Sequence, residues 1–243
     1  MSQAMLFEES RCIECQACSV SCKNSYGPGQ PVFRTWVTLK ESGSFPQVTQ
    51  GLMKSACMHC SDAPCVEVCP TGAMHKTPEG LTDVNKTVCI GCNYCAANCP
   101  YEAINFIRAE NTVDKCHFCR QLLARGMDPV CVNTCPAGAL RFGPRDEMLQ
   151  AGRDAVSVLQ ERGYPEAHLY GETQLGGQRN LYVLKHEPAV YGLPVDPQVP
   201  VTLSVVRLLT NPVGGIAAAA AAIILAADFV RNRRIKVGSA DNG

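Results

Sequence analysis

Aromatic side chains are scarce in this chain: they make up 6% of 243 residues, with a single tryptophan, Trp36. A large conventional core is therefore not expected, and something else must hold the fold. Surplus charge is missing too, because 22 basic and 22 acidic side chains cancel to a formal charge of zero. Such a balance leaves no electrostatic footprint for nucleic acid, and no nucleic-acid partner is expected. Residues Met1 to Ser10 contain neither a basic stretch nor an apolar run of about 7–15 residues, so no signal peptide of the chain's own is expected.

What the chain does have is cysteine, sixteen in all, in four tight groups. They are Cys12, Cys15, Cys18 and Cys22; Cys57, Cys60, Cys65 and Cys69; Cys89, Cys92, Cys95 and Cys99; and Cys116, Cys119, Cys131 and Cys135. None is left over as a nucleophile or free thiol. Disulfide frameworks scatter cysteines across loops, whereas this clustering points to metal.

The third group, followed by Pro100, reads C-x2-C-x2-C-x3-C-P, in which three cysteines wrap one [4Fe–4S] cluster and the fourth reaches a neighbouring one. The second group widens one gap, from Cys60 to Cys65, but keeps the ending. The first keeps the triad but has Lys23 in place of the proline, and the fourth carries a long loop from Arg120 to Val130. A cubane offers four irons, each needing a soft anionic ligand, and thiolate supplies both properties. Zinc sites use C-x2-C pairs as well, but they need no triads and give the Cys-Pro repeats no role. A catalytic cluster would need an iron without its cysteine, and the quartets leave none. Charge relay without substrate chemistry is therefore expected.

Because the fourth cysteine of one group serves a partner's cluster, the groups work in pairs, giving two modules of two clusters. The spacing from Cys69 to Cys89 suits a bacterial-ferredoxin-like module made of the second and third groups. Pairing in simple sequence order is the alternative. An internal repeat supports modularity: CPTGAM from Cys69, CPYEAI from Cys99 and CPAGAL from Cys135. The repeating unit reads as strand, ligand loop, short helix, strand, with strands around Met5 to Phe7, Leu81 to Val84 and Ile104 to Ile107.

Oxidised cubanes bearing four thiolates carry about −2 each, so four would bring roughly −8 to a neutral chain. Lys23, Lys115 and Arg120, each beside a cysteine, are the candidates to offset that charge; the alternative is that they are solvated surface cations. Among the five histidines, His59 and His117 fall inside C-x2-C loops and are expected to project away from the metal, since every iron already has its thiolate. Tyr94 and Tyr101 are expected to pack against a cluster.

After Cys135, the apolar positions Met148, Leu149, Ala155, Val156 and Leu159 predict an amphipathic helix over Arg145 to Arg162, ended by Gly163 and Pro165. Pro188 to Pro200 carries four prolines and is expected to be an extended strap. Val213 to Val230 is apolar with one charge, Asp228, and as a helix would span about 27 Å, close to a bilayer's hydrocarbon thickness. A soluble alanine-rich helix is the competing reading. Arg231, Arg233, Arg234 and Lys236 follow the run, which by the positive-inside rule places the C-terminus in the cytoplasm and the cysteine groups outside it.

Over residues 5 to 145 the arrangement resembles the four-cluster subunits of the molybdopterin oxidoreductases related to dimethyl sulfoxide reductase. ERGYPEAHLYG, then LYVLKHEPAVYGLPVDP, then the single apolar run look like the iron–sulfur (β) subunit of respiratory formate dehydrogenase. The run here is richer in alanine than is usual there. The resemblance implies a heterotrimer with a molybdenum or tungsten pterin catalytic subunit and a membrane cytochrome b or other quinone-reactive subunit, exported with a twin-arginine-bearing partner. It also implies four ligand sets, in order of electron flow: Cys12, Cys15, Cys18 and Cys135; then Cys22, Cys116, Cys119 and Cys131; then Cys57, Cys60, Cys65 and Cys99; and last, beside the membrane, Cys69, Cys89, Cys92 and Cys95.

The expected fold is thus α+β: two bacterial-ferredoxin-like modules of two [4Fe–4S] clusters, a C-terminal extension and one C-terminal transmembrane helix. One module comprises 1–27 with 111–145, and the other 54–110. Residues 28–53 form a linker or insertion with one strand around Val32 to Leu39. The extension and strap run over 146–205, the transmembrane helix over 206–231 and a cytoplasmic tail over 232–243. Competing functions are the same relay for polysulfide, thiosulfate or a sulfoxide, a soluble polyferredoxin, and a zinc-bound scaffold.

Overall fold

In the computed structural model, residues 2–27 and 32–199 are described. The elements are β1 (Gln3–Glu8), α1 (Ala17–Tyr26), β2 (Thr35–Ser44), β3 (Gln47–Ala56), α2 (Pro64–Glu67), β4 (Met74–Lys76), β5 (Thr82–Val84), α3 (Tyr94–Ala97), β6 (Asn105–Ile107), β7 (Thr112–Asp114), α4 (Arg120–Leu123), α5 (Val130–Asn133), β8 (Leu140–Pro144), α6 (Arg145–Glu161), β9 (His168–Tyr170) and β10 (Asn180–Leu184).

One mixed sheet, in the order β8-β1-β10-β9, organises the chain. β1 lies parallel to β10, with Met5 opposite Asn180, and antiparallel to β8, with Phe7 opposite Leu140. Side chains alternate along a strand, so the sheet has two distinct faces. Ala4, Leu6, Leu181 and Val183 face α6 and pack with Leu149, Leu159 and Ala167. A modest apolar core exists here after all, assembled by the C-terminal extension rather than by aromatic residues. Met148, Ala155 and Val156 flank it, so α6 uses the stripe its sequence periodicity marks. At Gly152 the helix comes so close that a Cβ would stand 2.7 Å from a Leu169 methyl. The opposite face carries Met5, Phe7 and Tyr182 toward the cysteines, with the Met5 sulfur 4.0 Å from Cys131 Sγ.

The Cys-Pro repeats share a form. A four-residue helix (α2, α3 or α5) ends just before each of Cys69, Cys99 and Cys135, and a strand follows the Cys-Pro turn. After Cys69 and Cys99 that strand pairs in a small hairpin, β4 with β5 and β6 with β7, whereas after Cys135 it is β8, which joins the main sheet.

Two stretches differ from expectation. Residues 35–56 hold two long strands, not one: β2 and β3 pair from Thr35↔Ala56 to Ser44↔Gln47. The second strand is cryptic because Gln47, Gln50, Gly51, Lys54 and Ser55 dilute its β-formers, and pairing with β2 decides its state. The start of the proline-rich strap is not extended. Pro188–Tyr191 forms a 3₁₀ turn closed by Gly192 at φ 71°, and Tyr191 is buried against β3. Among the described residues no helix is long and apolar enough to cross a membrane. The apolar run Val213 to Val230 lies outside the described residues.

Candidate metal centres

The cysteine loops repeat in backbone as well as in sequence. The residue before the second cysteine of every group is left-handed: Glu14 (φ 56°), His59 (φ 49°), Gly91 (φ 70°) and Phe118 (φ 59°). Two residues after Cys-Pro's proline the same conformation recurs at Gly72, Glu102 and Gly138. A bulky side chain at positive φ is disfavoured and persists only where its surroundings over-determine it. The recurrence in all four groups marks a shared wrap around something at the centre of each loop.

Cys12, Cys15, Cys18 and Cys135 line one cavity, with Phe7 and Leu140 from the sheet. Cys69, Cys89, Cys92 and Cys95 line another, with Met74 and Val113. Cys22 and Cys131 are each charge neighbours of Cys116 and Cys119 and, in Cys131's case, of Cys22. Cys60 is a charge neighbour of Cys57, Cys65 and Cys99. Four quartets thus draw the first cysteine group together with the fourth, and the second with the third. They also differ in exposure. In the Cys22 and Cys57 quartets three of four cysteines are buried, whereas the Cys12 and Cys69 quartets each have one buried cysteine and one exposed, Cys15 and Cys92.

The electrostatics of these thiols fit a metal cluster. Burial pushes Cys22 up to about 12, and the charges of Cys116 and Cys119 add to it. Burial and then Cys57 and Cys99 carry Cys65 to about 12. Cys95 rises to about 11 through burial and the charges of Cys69, Cys89 and Cys92, against a backbone hydrogen bond. Thiolates so crowded are stable together only around compensating cations, and a coordinating thiol is deprotonated outright. Backbone amides are already turned to receive sulfur anions: Met74 N–H donates to Cys69 Sγ at 3.3 Å and Phe118 N–H to Cys116 Sγ at 3.4 Å. No three His, Cys, Asp or Glu side chains among the described residues close on a point small enough for one ion.

Gly91 tests the loop geometry. Its φ is 70°, and a Cβ there would stand 2.6 Å from the Asn111 carbonyl oxygen. Gly91→Ala is expected to cost about 2–3 kcal/mol through left-handed strain and the clash. Iron analysis with a melting curve checks it: loss of one cluster's iron with the rest retained is the expected result.

His59 is buried with its ring edge-on to Phe118, and its Nδ1 accepts the Thr82 N–H at 3.2 Å. Burial first, then Lys115 and Lys76, hold its pKa well below the usual imidazole range, so it stays neutral. His117 packs edge-on to Tyr26 at 4.4 Å, and burial, with Arg34 next, lowers it to about 4. Tyr94 is 60% exposed, so it is not packed inside; it starts α3 on the outer side of its loop. Tyr101 bonds the hydroxyl of Tyr170 at 3.2 Å and accepts from the amide of Gln178, which also approaches Cys60 Sγ, so its ring end lies beside the Cys57 quartet.

Of the cations singled out by adjacency, Lys23 donates to Val32 O and lies over Phe33, and Arg120 pairs with Asp83 on the surface. Lys115 is buried, bonding the carbonyls of Thr82 and Cys116. Its charge bears on Cys65 and Cys99 of one quartet and Cys116 of another, and Lys54, also buried, likewise reaches the thiols of two quartets, although adjacency does not mark it because two residues separate it from Cys57.

The extension contributes to a site as well. Ser61 N–H donates to Gly177 O, Asp62 N–H to Leu175 O and Arg179 N–H to Met58 O, while Asn180 Nδ2 donates to Cys57 O at 2.6 Å. Gln178, fully buried, places its amide 3.9 Å from Cys60 Sγ. Gly176 and Gly177, both at positive φ, are the sequence's faint trace of this clamp.

Mixed helix and strand, repeated Cys-Pro turns and thiol quartets define a ferredoxin-like [4Fe–4S] protein. The family model of the 4Fe-4S dicluster domain matches residues 48–145. The iron–sulfur subunit of nitrate-inducible formate dehydrogenase from Escherichia coli is 34% identical over 229 residues, covering 86% of this chain and 78% of the relative. The NrfC homolog of Haemophilus influenzae is 40% identical over 195 residues, 79% of this chain and 82% of the relative. The thiosulfate reductase electron transfer subunit PhsB of Salmonella typhi is 42% identical over 146 residues, 59% and 76% respectively. The chain belongs to the family of formate dehydrogenase iron–sulfur subunits, electron-transfer proteins with no catalysis of their own.

Proposed function

We propose that this chain holds four [4Fe–4S] clusters, on the four quartets above, and relays electrons from a molybdopterin catalytic subunit of formate dehydrogenase type to a membrane cytochrome b or other quinone-reactive subunit. When bound, such clusters supply one-electron redox chemistry over a potential range that the protein tunes through hydrogen bonds and exposure. The carrying observation is the exposure pattern. The Cys12 and Cys69 quartets each present one cysteine to solvent, at Cys15 and Cys92, while the Cys22 and Cys57 quartets are enclosed. Such a pattern suits a wire that exchanges charge at its two ends and insulates it between them. On this reading the chain forms two modules, 1–27 with 111–145 and 54–110, and Gln178 and Asn180 of the extension brace the second.

We also propose that residues 206–231 anchor the chain in the membrane, with the cluster modules outside and the tail 232–243 in the cytoplasm; the basic residues after Val230 support this orientation. Formate is favoured over thiosulfate because the match to the formate dehydrogenase subunit spans 86% of this chain, reaching beyond the cysteine modules, against 59% for the thiosulfate reductase subunit. Anaerobic isolation from membranes, followed by sequencing of the largest co-purifying subunit, tests the proposal. A molybdopterin enzyme of formate dehydrogenase type is expected. A large subunit for another substrate would redirect the relay, and a chain found wholly in the carbonate-wash supernatant without partners would make it a free polyferredoxin.

A further inference from the structure

Lys54 sits on β3 opposite Val37, its backbone carbonyl receiving the Tyr182 hydroxyl at 2.8 Å. It is 2% exposed. Its side chain lines the cavity of Cys12, Cys15, Cys18 and Cys135, and its charge also bears on Cys22, Cys116 and Cys131 of the second quartet. Among the described residues no carboxylate pairs with it; the ion pairs there join Arg34, Lys86, Arg120, Arg141, Arg153, Lys185 and His186 to acids elsewhere. Tyr182 is no counter-ion either, since burial pushes its phenol up to about 12.

A lysine buried without an anion sheds its proton or costs several kcal/mol. Beside Tyr182, the groups among the described residues whose charge acts most on Lys54 are the thiols of Cys131, Cys116 and Cys18, from two quartets, and a reduced cubane adds one further unit of charge to that side. We propose that Lys54 is the charge-compensating residue of the relay's first half, raising the reduction potentials of the clusters on Cys12, Cys15, Cys18, Cys135 and on Cys22, Cys116, Cys119, Cys131. The inference rests on the four-cluster reading. Its physical content is that a fixed ammonium between two cluster sites stabilises whichever of them holds the electron. Lys76 and Lys115 differ in kind, because their ammonium groups are taken up by backbone carbonyls, that of Cys60 for Lys76 and those of Thr82 and Cys116 for Lys115.

The test is a redox titration followed by electron paramagnetic resonance on the intact complex, comparing wild type with Lys54→Met and Lys54→Arg and measuring iron per chain. With iron unchanged in Lys54→Met, two cluster signals are expected to lose at least tenfold in their reduction equilibrium, a fall of about 59 mV for one electron. The cluster on Cys69, Cys89, Cys92 and Cys95 should not move, as Lys54 is not among the main charges acting on Cys95. Lys54→Arg should restore the wild-type potentials. Unchanged potentials in Lys54→Met with full iron, or an equal shift of all four, would overturn the inference while leaving the relay intact. If Lys54→Met and Lys54→Gln both lose clusters, Lys54→Arg decides: four clusters at wild-type potentials uphold the need for charge, and cluster loss there too reduces Lys54 to packing. A wild-type chain short of four clusters would instead remove the relay reading itself, and this inference with it.

Discussion

Cys22→Ser is expected to remove about four of sixteen irons and to lower the melting temperature of the whole chain by far more than one buried side chain would. Cys22 lies on α1, is 7% exposed, and shares its quartet with Cys116, Cys119 and Cys131 from the far end of the module. A cluster there would be a second cross-link, beside the one on Cys12, Cys15, Cys18 and Cys135, between segments about a hundred residues apart, and its loss would also leave the buried thiols at the centre of the module without their cations. Cys92→Ser provides the contrast. Its cysteine is exposed, in a quartet drawn from residues 69–95, so it should lose as much iron with a smaller fall in melting temperature. Calorimetry alongside iron analysis separates the two, and equal stability losses would count against the long-range cross-link.

Glu9→Ala is expected to destabilise the chain by about 3–5 kcal/mol while leaving its iron in place. Glu9 is 1% exposed and accepts from the Tyr191 hydroxyl at 2.5 Å, Lys185 N–H at 2.8 Å and Leu52 N–H at 3.1 Å, with Lys185 Nζ at 3.2 Å. That one carboxylate ties the end of β1 to the long hairpin and to the turn after β10. Truncating it strands a buried hydroxyl and two amides and leaves the lysine without its partner. For a domain of this size the loss corresponds to a fall of roughly 10 °C. Glu9→Gln, which keeps the acceptor oxygen, should fall by less; a melting temperature unchanged in Glu9→Ala would mean that the carboxylate does not brace the extension.

The cysteine groups and the Cys-Pro repeats are legible in the sequence because cluster ligation is local: three ligands lie within seven residues, as from Cys12 to Cys18. The helix over Arg145–Glu161 is legible for the same reason, since its stripe repeats within one element. What is not legible depends on long-range pairing. Strand β3 exists because β2 lies beside it, and the 3₁₀ turn at Pro188–Tyr191 exists because Tyr191 finds Glu9 across the fold. Gln178 and Asn180 reach the Cys57 loop from more than a hundred residues away. Of Lys23, Lys115 and Arg120, which adjacency marks as charge-compensating cations, Lys115 is buried beside the thiols, and Lys54, which alternation along β3 turns inward to them, is not marked by adjacency at all. Proximity in space is set by the sheet, and no motif records it.

The four quartets carry the account, and the most direct test is chemical: iron, zinc and acid-labile sulfide per chain in protein purified without oxygen. About sixteen irons with as much sulfide and no zinc is the expected result. About eight irons or fewer, or zinc in their place, would contradict it.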